Sequence, residues 1–170
     1  MSLRPRLSLG VAVLITVVAC QTPQSTESVS PPNELYGVWS LVAIEPGDES
    51  PVVDPSQPGL YIFAERHYSA VFTLGGDARA KAAISFQPTP EEMVAQYETI
   101  IVNTGTYEIS GDTVRFTPVL AKSPGFVGGY QVSAFRVEGD TLFLSQDEMV
   151  AVDGVSPPDF GGTLTLVRVE

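Results

Sequence analysis

Side chains able to support nucleophilic or metal chemistry are few in this 170-residue chain, which has one histidine and one cysteine. His67 lies between two apolar runs, where the tip of a β-hairpin is expected, so a solvated turn residue is the favoured interpretation. A Ser–His–Asp or Cys–His site needs a histidine beside its nucleophile, and a zinc site needs several His or Cys ligands. The sequence therefore predicts no catalytic residues, no metal ligands and no cofactor.

Acidic residues offer two other chemistries, calcium binding and general acid–base catalysis. The four acids of residues 147–160 lack the spacing of a calcium loop and are interpreted as part of a solvated loop: Asp147, Glu148, Asp153 and Asp159. Glu45 or Glu98 would support a cyclase or isomerase if either side chain pointed into the interior, and surface exposure is the alternative.

Cys20 ends a segment typical of an export signal. Arg4 and Arg6 precede residues 7–19, an uncharged and mostly apolar run that is shorter than the ~20 residues of a transmembrane helix. The small residues before the cysteine resemble the lipobox of bacterial lipoproteins. The resemblance implies a signal peptide over residues 1–19 and lipidation of Cys20 with long acyl chains such as palmitate. An ordinary secretory signal with an incidental cysteine is the alternative.

A lipidated Cys20 would anchor the protein stably to a membrane. Gln21 follows it instead of Asp, which by resemblance to lipoprotein sorting patterns favours the outer membrane, facing the periplasm, in a cell with two membranes. Residues 20–33 are rich in Ser, Thr, Pro and Gln and are predicted to be a flexible tether. Residues 34–170 are long enough for one domain with its own core.

The charge balance argues against partners that carry negative charge. Loss of the two signal arginines would leave seven basic and 20 acidic residues, a net charge of −13. This balance argues against nucleic acid and against electrostatic adhesion to anionic lipid.

Residues 36–45 and 162–170 are the predicted first and last strands of an antiparallel β-barrel. When such a barrel closes, the start of the first strand lies beside the end of the last. Closure would bring Trp39 next to Arg168, a cation–π contact typically worth ~0.5–2 kcal/mol.

Two segments, residues 107–116 and 135–144, share a pattern in which a Gly-Asp pair separates two alternating runs. Glycine at the first position of a two-residue turn takes the positive φ that type II′ geometry requires. The turn fixes the register, and Glu108, Arg115 and Arg136 then lie on the surface. An uncharged set is predicted to point inward: Tyr107, Ile109, Val114, Phe116, Phe135, Val137, Leu142 and Leu144.

A third hairpin joins residues 59–64 to residues 68–74 and pairs Phe63 with Tyr68. Both of its faces are apolar, so the inward face is left open. Residues 122–129 form a connector in which Phe126 is exposed unless another element covers it. An apolar patch at Phe126 or Phe160 would suit a protein partner.

One helix is predicted over residues 90–102. Thr89 is its N-cap, Pro90 its first residue, and Glu92 completes a capping box. One face is apolar and is expected to cover an open end or side of the barrel: Met93, Val94, Tyr97, Ile100 and Ile101.

The count gives an all-β fold, an eight-stranded antiparallel up-and-down barrel with one helix. Short segments across residues 36–170 resemble the bacterial lipocalin-like domain family, among them Gly37-Val38-Trp39, Gly105-Thr106-Tyr107 and Val167-Arg168-Val169. An eight-stranded barrel is either filled by side chains or holds one small ligand.

Three function classes follow, and a binding protein for a small apolar or amphipathic ligand is favoured. A structural or protein-interaction envelope lipoprotein with a filled barrel is the second, and a barrel cyclase or isomerase is the third. The candidate pocket residues are Tyr68, Tyr97, Tyr107, Phe116, Ser133 and Phe135. For Tyr68, Tyr97, Tyr107 and Phe116, core or lid packing is the favoured interpretation.

Overall fold

The computed structural model describes residues 33–48, 50–55, 57–158 and 160–170. The predicted signal peptide, Cys20 and nearly all of the predicted tether lie outside the described residues. In chain order the elements are β1 (Gly37–Pro46), β2 (Gly59–Phe63), β3 (His67–Thr73), α1 (Pro90–Glu98), β4 (Ile100–Ser110), β5 (Thr113–Ala121), a 3₁₀ turn (Pro124–Phe126), β6 (Tyr130–Glu138), β7 (Thr141–Val150) and β8 (Gly162–Arg168).

The eight strands form a closed antiparallel barrel. Each strand pairs with the next one along the chain, and β8 pairs with β1. Trp39 lies opposite Arg168 in that closing pair, and the guanidinium carbon lies 3.9 Å from the centroid of the indole ring. The predicted fold and the predicted closing contact are both confirmed.

Both Gly-Asp turns have the predicted conformation. Gly111 and Gly139 have φ angles of 62° and 59°, and neither following Asp has a positive φ, which is the type II′ pattern. The registers follow: Tyr107 pairs with Phe116 and Phe135 with Leu144. The local geometry of the turn therefore fixes the strand register of these two hairpins.

The surface positions of these hairpins also agree with the prediction. Arg115 and Arg136 are exposed, and their guanidinium groups lie over the rings of Tyr130 and Phe143 at 3.6 and 4.0 Å. The predicted inward set is only partly right, because Ile109 is 39% exposed. Its cross-strand partner Val114 is fully buried, so the two sides of this pair differ in exposure. Phe135 and Val137 are half-buried and pack against the core.

The two ends of the barrel differ because short and long connections alternate. At one end, here called the turn end, lie residues 64–66, 111–112 and 139–140. At the other, the loop end, lie residues 47–58, 74–99, 122–129 and 151–161. An up-and-down barrel places every second connection on the same side.

Large side chains fill the turn end. Leu35 and Trp39 are fully buried there, and the Trp39 Nε1 donates a hydrogen bond to the Leu35 carbonyl oxygen at 2.7 Å. The ring of Tyr107 meets Phe63 edge-on at 5.4 Å, and its hydroxyl donates to the Ala64 carbonyl oxygen at 2.6 Å. The chain segment before β1 thus closes this end.

The β2–β3 hairpin has the predicted pairing of Phe63 with Tyr68. Its inward face carries the larger, mainly aromatic side chains, and these are buried: Tyr61, Phe63, Tyr68, Ala70 and Phe72. Leu60, Ile62 and Val71 face outward. The aromatic rings fit inside because they stack on one another across the strands, as Tyr61 does on Phe72 at 5.7 Å.

The helix begins as predicted but ends earlier. Thr89 and Glu92 form the capping box, and α1 stops at Glu98. The prediction that it continues to residue 102 was wrong: Ile100 and Ile101 begin β4, where a run of β-branched residues favours a strand.

The helix is not a cover for the barrel, contrary to the prediction. None of its residues is buried, and Met93, Val94 and Tyr97 are about half exposed. Phe126, by contrast, is buried, because the 3₁₀ turn folds its ring inward and Gly128 donates to the Pro118 carbonyl oxygen at 3.2 Å. The predicted exposed patch at Phe126 is therefore absent.

Candidate functional site

A cavity of about 460 Å³ occupies the loop end of the barrel. Its size falls within the range of small-molecule sites, about 300–1,000 Å³. Seven strands, the residue after β3 and the 151–161 loop supply its lining: Ile44, Pro46, Tyr61, Ala70, Phe72, Leu74, Ile101, Asn103, Gln131, Gln146, Met149, Pro157, Pro158, Phe160, Gly161 and Leu164. The aromatic side chains that fill the turn end stop short of this region, and Ala70 leaves space in the wall between Tyr68 and Phe72.

The walls are mainly apolar. Tyr61 and Phe72 stack on one side, and Leu164 and Met149 stand on strands β8 and β7. Phe160 extends the apolar lining into the loop. Such a surface favours burial of a hydrocarbon group, at about 25 cal/mol for each Å² removed from water.

The polar lining consists of three carboxamides, Asn103, Gln131 and Gln146, together with the Tyr61 hydroxyl. None of the sixteen lining residues is Asp, Glu, Lys, Arg or His. Amide groups can both donate and accept hydrogen bonds without carrying charge. The described lining can therefore orient a neutral polar group.

Buried hydrogen bonds fix two of the amides. The Tyr68 hydroxyl donates to Asn103 Oδ1 at 2.8 Å, and Gln131 Nε2 donates to Ser133 Oγ at 3.0 Å. Burial raises the pKa of Tyr68 well above its ordinary value, so the hydroxyl remains a donor at neutral pH. Burial, with the nearby Tyr68, raises the pKa of Tyr61 in the same direction.

In each of these two amides, one polar atom remains available to a ligand. With Oδ1 accepting from Tyr68, the Nδ2 group of Asn103 has no hydrogen-bond partner within the described part of the chain. With Nε2 donating to Ser133, the Oε1 atom of Gln131 is likewise without a partner among the described residues. One donor and one acceptor thus lie in the lining of the same cavity.

Comparison with known proteins adds little to this geometry. No family model matches the chain, and no curated protein matches it. Among solved structures, an uncharacterized protein from Bacteroides eggerthii DSM 20697 is similar at 11% identity with a TM-score of 0.40, over 79% of this chain and 99% of that one. No helix within the described residues is long and apolar enough to cross a membrane.

Two of the six predicted pocket residues lie just beneath the cavity. Tyr68 and Phe116 meet at 4.7 Å between ring centroids and line a crevice of about 10 Å³ that continues toward the turn end. A space of that size holds about one water molecule. Ser133 is buried and contributes through its hydrogen bond with Gln131.

The other three predicted residues lie elsewhere. Tyr107 packs into the turn end, where Asn33 donates to its hydroxyl, and Phe135 is half-buried on β6. Tyr97 is on the exposed helix, and its hydroxyl donates to the Lys122 carbonyl oxygen at 2.9 Å. None of these three lines the cavity.

The cavity amides were not among the predicted site residues. Period-two alternation could have found all three, because Asn103 shares the inward face of β4 with Tyr107, and Gln131 shares the inward face of β6 with Ser133. Gln146 stands two residues after Leu144 on the inward face of β7.

The side chains considered for catalysis are on the surface. Glu45, Glu98 and His67 are exposed, so neither carboxylate points into the barrel. Within the described ranges, no group of three or more His, Cys, Asp or Glu side chains is placed to hold a metal ion.

Proposed function

We propose that this protein binds a small apolar or amphipathic molecule in the loop-end cavity, without catalysis. The observation that carries the proposal is the contrast between the two ends of one interior. The turn end is filled by Trp39, Phe63 and their neighbours, whereas the loop end keeps a cavity of about 460 Å³. The exposure of Glu45 and Glu98 supports binding over cyclase or isomerase chemistry.

The setting proposed for this binding is the bacterial cell envelope. The chain would be a lipocalin-like lipoprotein anchored through Cys20, on the outer membrane facing the periplasm in a cell with two membranes. Asn33, where the described chain begins, contacts Tyr107 at the turn end. A tether that joins the barrel there leaves the mouth of the cavity at the opposite end.

A second function has one supporting observation, namely exposed apolar side chains near the helix. Phe86 is fully exposed and has a φ of 63°, which is unusual for a bulky residue, and Ile84, Met93 and Val94 are exposed nearby in the chain. These side chains would suit a structural lipoprotein that contacts another protein.

Ligand binding can be tested with a substitution that enlarges one side chain of the cavity wall. Ala70→Leu adds three carbon atoms at an inward position of β3 that lines the cavity. We expect the purified full-length mature protein to bind the neutral fluorescent probe N-phenyl-1-naphthylamine saturably, and Ala70→Leu to weaken that binding at least tenfold. The measurement is a fluorescence titration, with a thermal melt to show that the variant is folded.

Val71→Leu is the matched control, because the next residue along the same strand faces outward and is 42% exposed. It should bind the probe as the wild type does. A wild type without saturable binding of apolar probes would overturn the carrier function and favour the structural one.

A further inference from the structure

The side chains that line the cavity indicate which charge its ligand can carry. A site for a fatty acid or another anionic amphiphile normally pairs the carboxylate with Arg, Lys or several N–H donors, because an unpaired buried charge is strongly disfavoured. Among the described residues, the lining contains no cationic side chain. Its polar groups are the carboxamides of Asn103, Gln131 and Gln146 and the hydroxyl of Tyr61.

The loop-end connections contain three basic residues, and none of them lines the cavity: Arg79, Lys81 and Lys122. Arg79 donates to the Gln96 carbonyl oxygen at 2.9 Å and to Thr99 Oγ1 at 3.3 Å. The ammonium of Lys122 lies 4.5 Å from the centroid of the Tyr97 ring. Neither side chain lines the cavity.

The connections around the mouth add a negative field. The described residues of the four loop-end connections include seven acidic and three basic side chains, and the whole chain is acidic, with a formal charge of −11. Charge of one sign around a cleft repels ligands of that sign and slows their entry.

The free polar groups fit a neutral partner. Asn103 Nδ2 can donate and Gln131 Oε1 can accept, since their other amide atoms are held by Tyr68 and Ser133. An amide group, or an ester with a neighbouring hydroxyl, offers the complementary acceptor and donor. A carboxylate offers acceptors only and would face the Gln131 oxygen without a proton between them.

We infer that the ligand of this cavity is uncharged: a hydrocarbon-bearing molecule whose polar end is an amide, ester or alcohol, and not a free fatty acid or a phosphate-bearing lipid. The inference rests on the proposed binding function and specifies its ligand class. It assigns Asn103 and Gln131 as the residues that select against charge.

The experiment compares two probes of equal chain length, dodecanamide and dodecanoate, at pH 8. Each probe is titrated against the full-length mature protein loaded with N-phenyl-1-naphthylamine. The loss of fluorescence gives the apparent Kd of the probe. We expect dodecanamide to bind at least tenfold more tightly than dodecanoate. Equal affinities, or tighter dodecanoate binding, would overturn the inference and leave the carrier function standing. Binding of neither, with no uptake of the fluorescent probe, would overturn the carrier function itself.

A variant pair then tests the assigned residue. Gln131→Lys places a cation at the lining and should reverse the preference, so that dodecanoate binds more tightly than dodecanamide. Gln131→Met, of similar length and without charge, should weaken dodecanamide several-fold and give no gain for dodecanoate. If Gln131→Lys fails to fold, the wild-type comparison alone still decides the inference. An unchanged preference in folded Gln131→Lys would remove Gln131 from the selecting residues.

Discussion

Arg168 joins the last strand to the chain segment that precedes the first. Besides lying over the Trp39 ring, its guanidinium donates to the carbonyl oxygens of Tyr36 at 2.7 Å and Glu34 at 3.1 Å. Trp39 beneath it is fully buried, whereas the Arg168 side chain is 28% exposed. The indole thus contributes mainly packing, and the cation contributes hydrogen bonds and a partly desolvated cation–π contact.

At the residue scale, we expect Trp39→Ala to lower the free energy of unfolding by about 3–5 kcal/mol, as large-to-small core substitutions do. Arg168→Ala should cost less, about 1–3 kcal/mol. The double variant should lose less than the sum, since either single change already breaks their contact. Urea denaturation of the four proteins measures all three values.

Arg115→Ala is the control for this cycle. Arg115 also lies over an aromatic ring, that of Tyr130, but on the exposed outer face. Its loss should cost no more than about 1 kcal/mol. Additive losses for Trp39 and Arg168 would contradict the coupling.

At the scale of elements, local signals hold α1 in place without burial. The Glu92 carboxylate accepts from the backbone N–H groups of Thr89 at 2.8 Å and Ala83 at 2.9 Å, and these bonds lower its pKa. Lys122, from the connector before β6, lies over the Tyr97 ring. The helix is therefore attached at the loop end through its cap, the contact of Tyr97 with Lys122, and the hydrogen bond from Arg79 to the Gln96 carbonyl oxygen.

The hairpin turns are the elements that fix strand register, and Gly111→Ala tests one of them. A Cβ at Gly111 would meet no neighbouring atom, so the cost comes only from its φ of 62°. We expect a loss of about 1–2 kcal/mol in the free energy of unfolding. Thermal and urea denaturation check the value.

Gly125→Ala is the matched control. Its site is equally open and has no positive φ, so the change should be close to neutral. A loss at Gly125 as large as that at Gly111 would mean that the left-handed conformation is not the cause.

At the scale of the whole molecule, the barrel has one filled end and one hollow end. The chain segment before β1 enters at the filled end, beside Tyr107 and Trp39. The cavity lies at the opposite end of the barrel, among the long connections.

Cys20 lies outside the described residues, and its lipidation stays a prediction. We expect Cys20→Ala to release the protein from the membrane fraction or to leave an uncleaved precursor, because acylation and cleavage both act at that residue. Cell fractionation with mass determination measures this. A mature-sized variant that still partitions with membranes would show that the cysteine is not the anchor.

The sequence by itself determined the strands, two hairpin registers and the closing contact. A two-residue Gly-Asp turn fixes its register through contacts within about ten residues, so Glu108 opposite Arg115 follows from local geometry. Trp39 opposite Arg168 follows because a closed barrel must bring its first and last strands together.

Only the tertiary structure decided the inward face of β2–β3, the end of α1 and the site. Both faces of that hairpin are apolar, and residues 100–102 fit either a helix stripe or a strand until β3 pairs with them. Asn103, Gln131 and Gln146 share a cavity through the closure of strands far apart in sequence. Whether space remains depends on the summed volumes of side chains from seven strands, and no local pattern contains that sum.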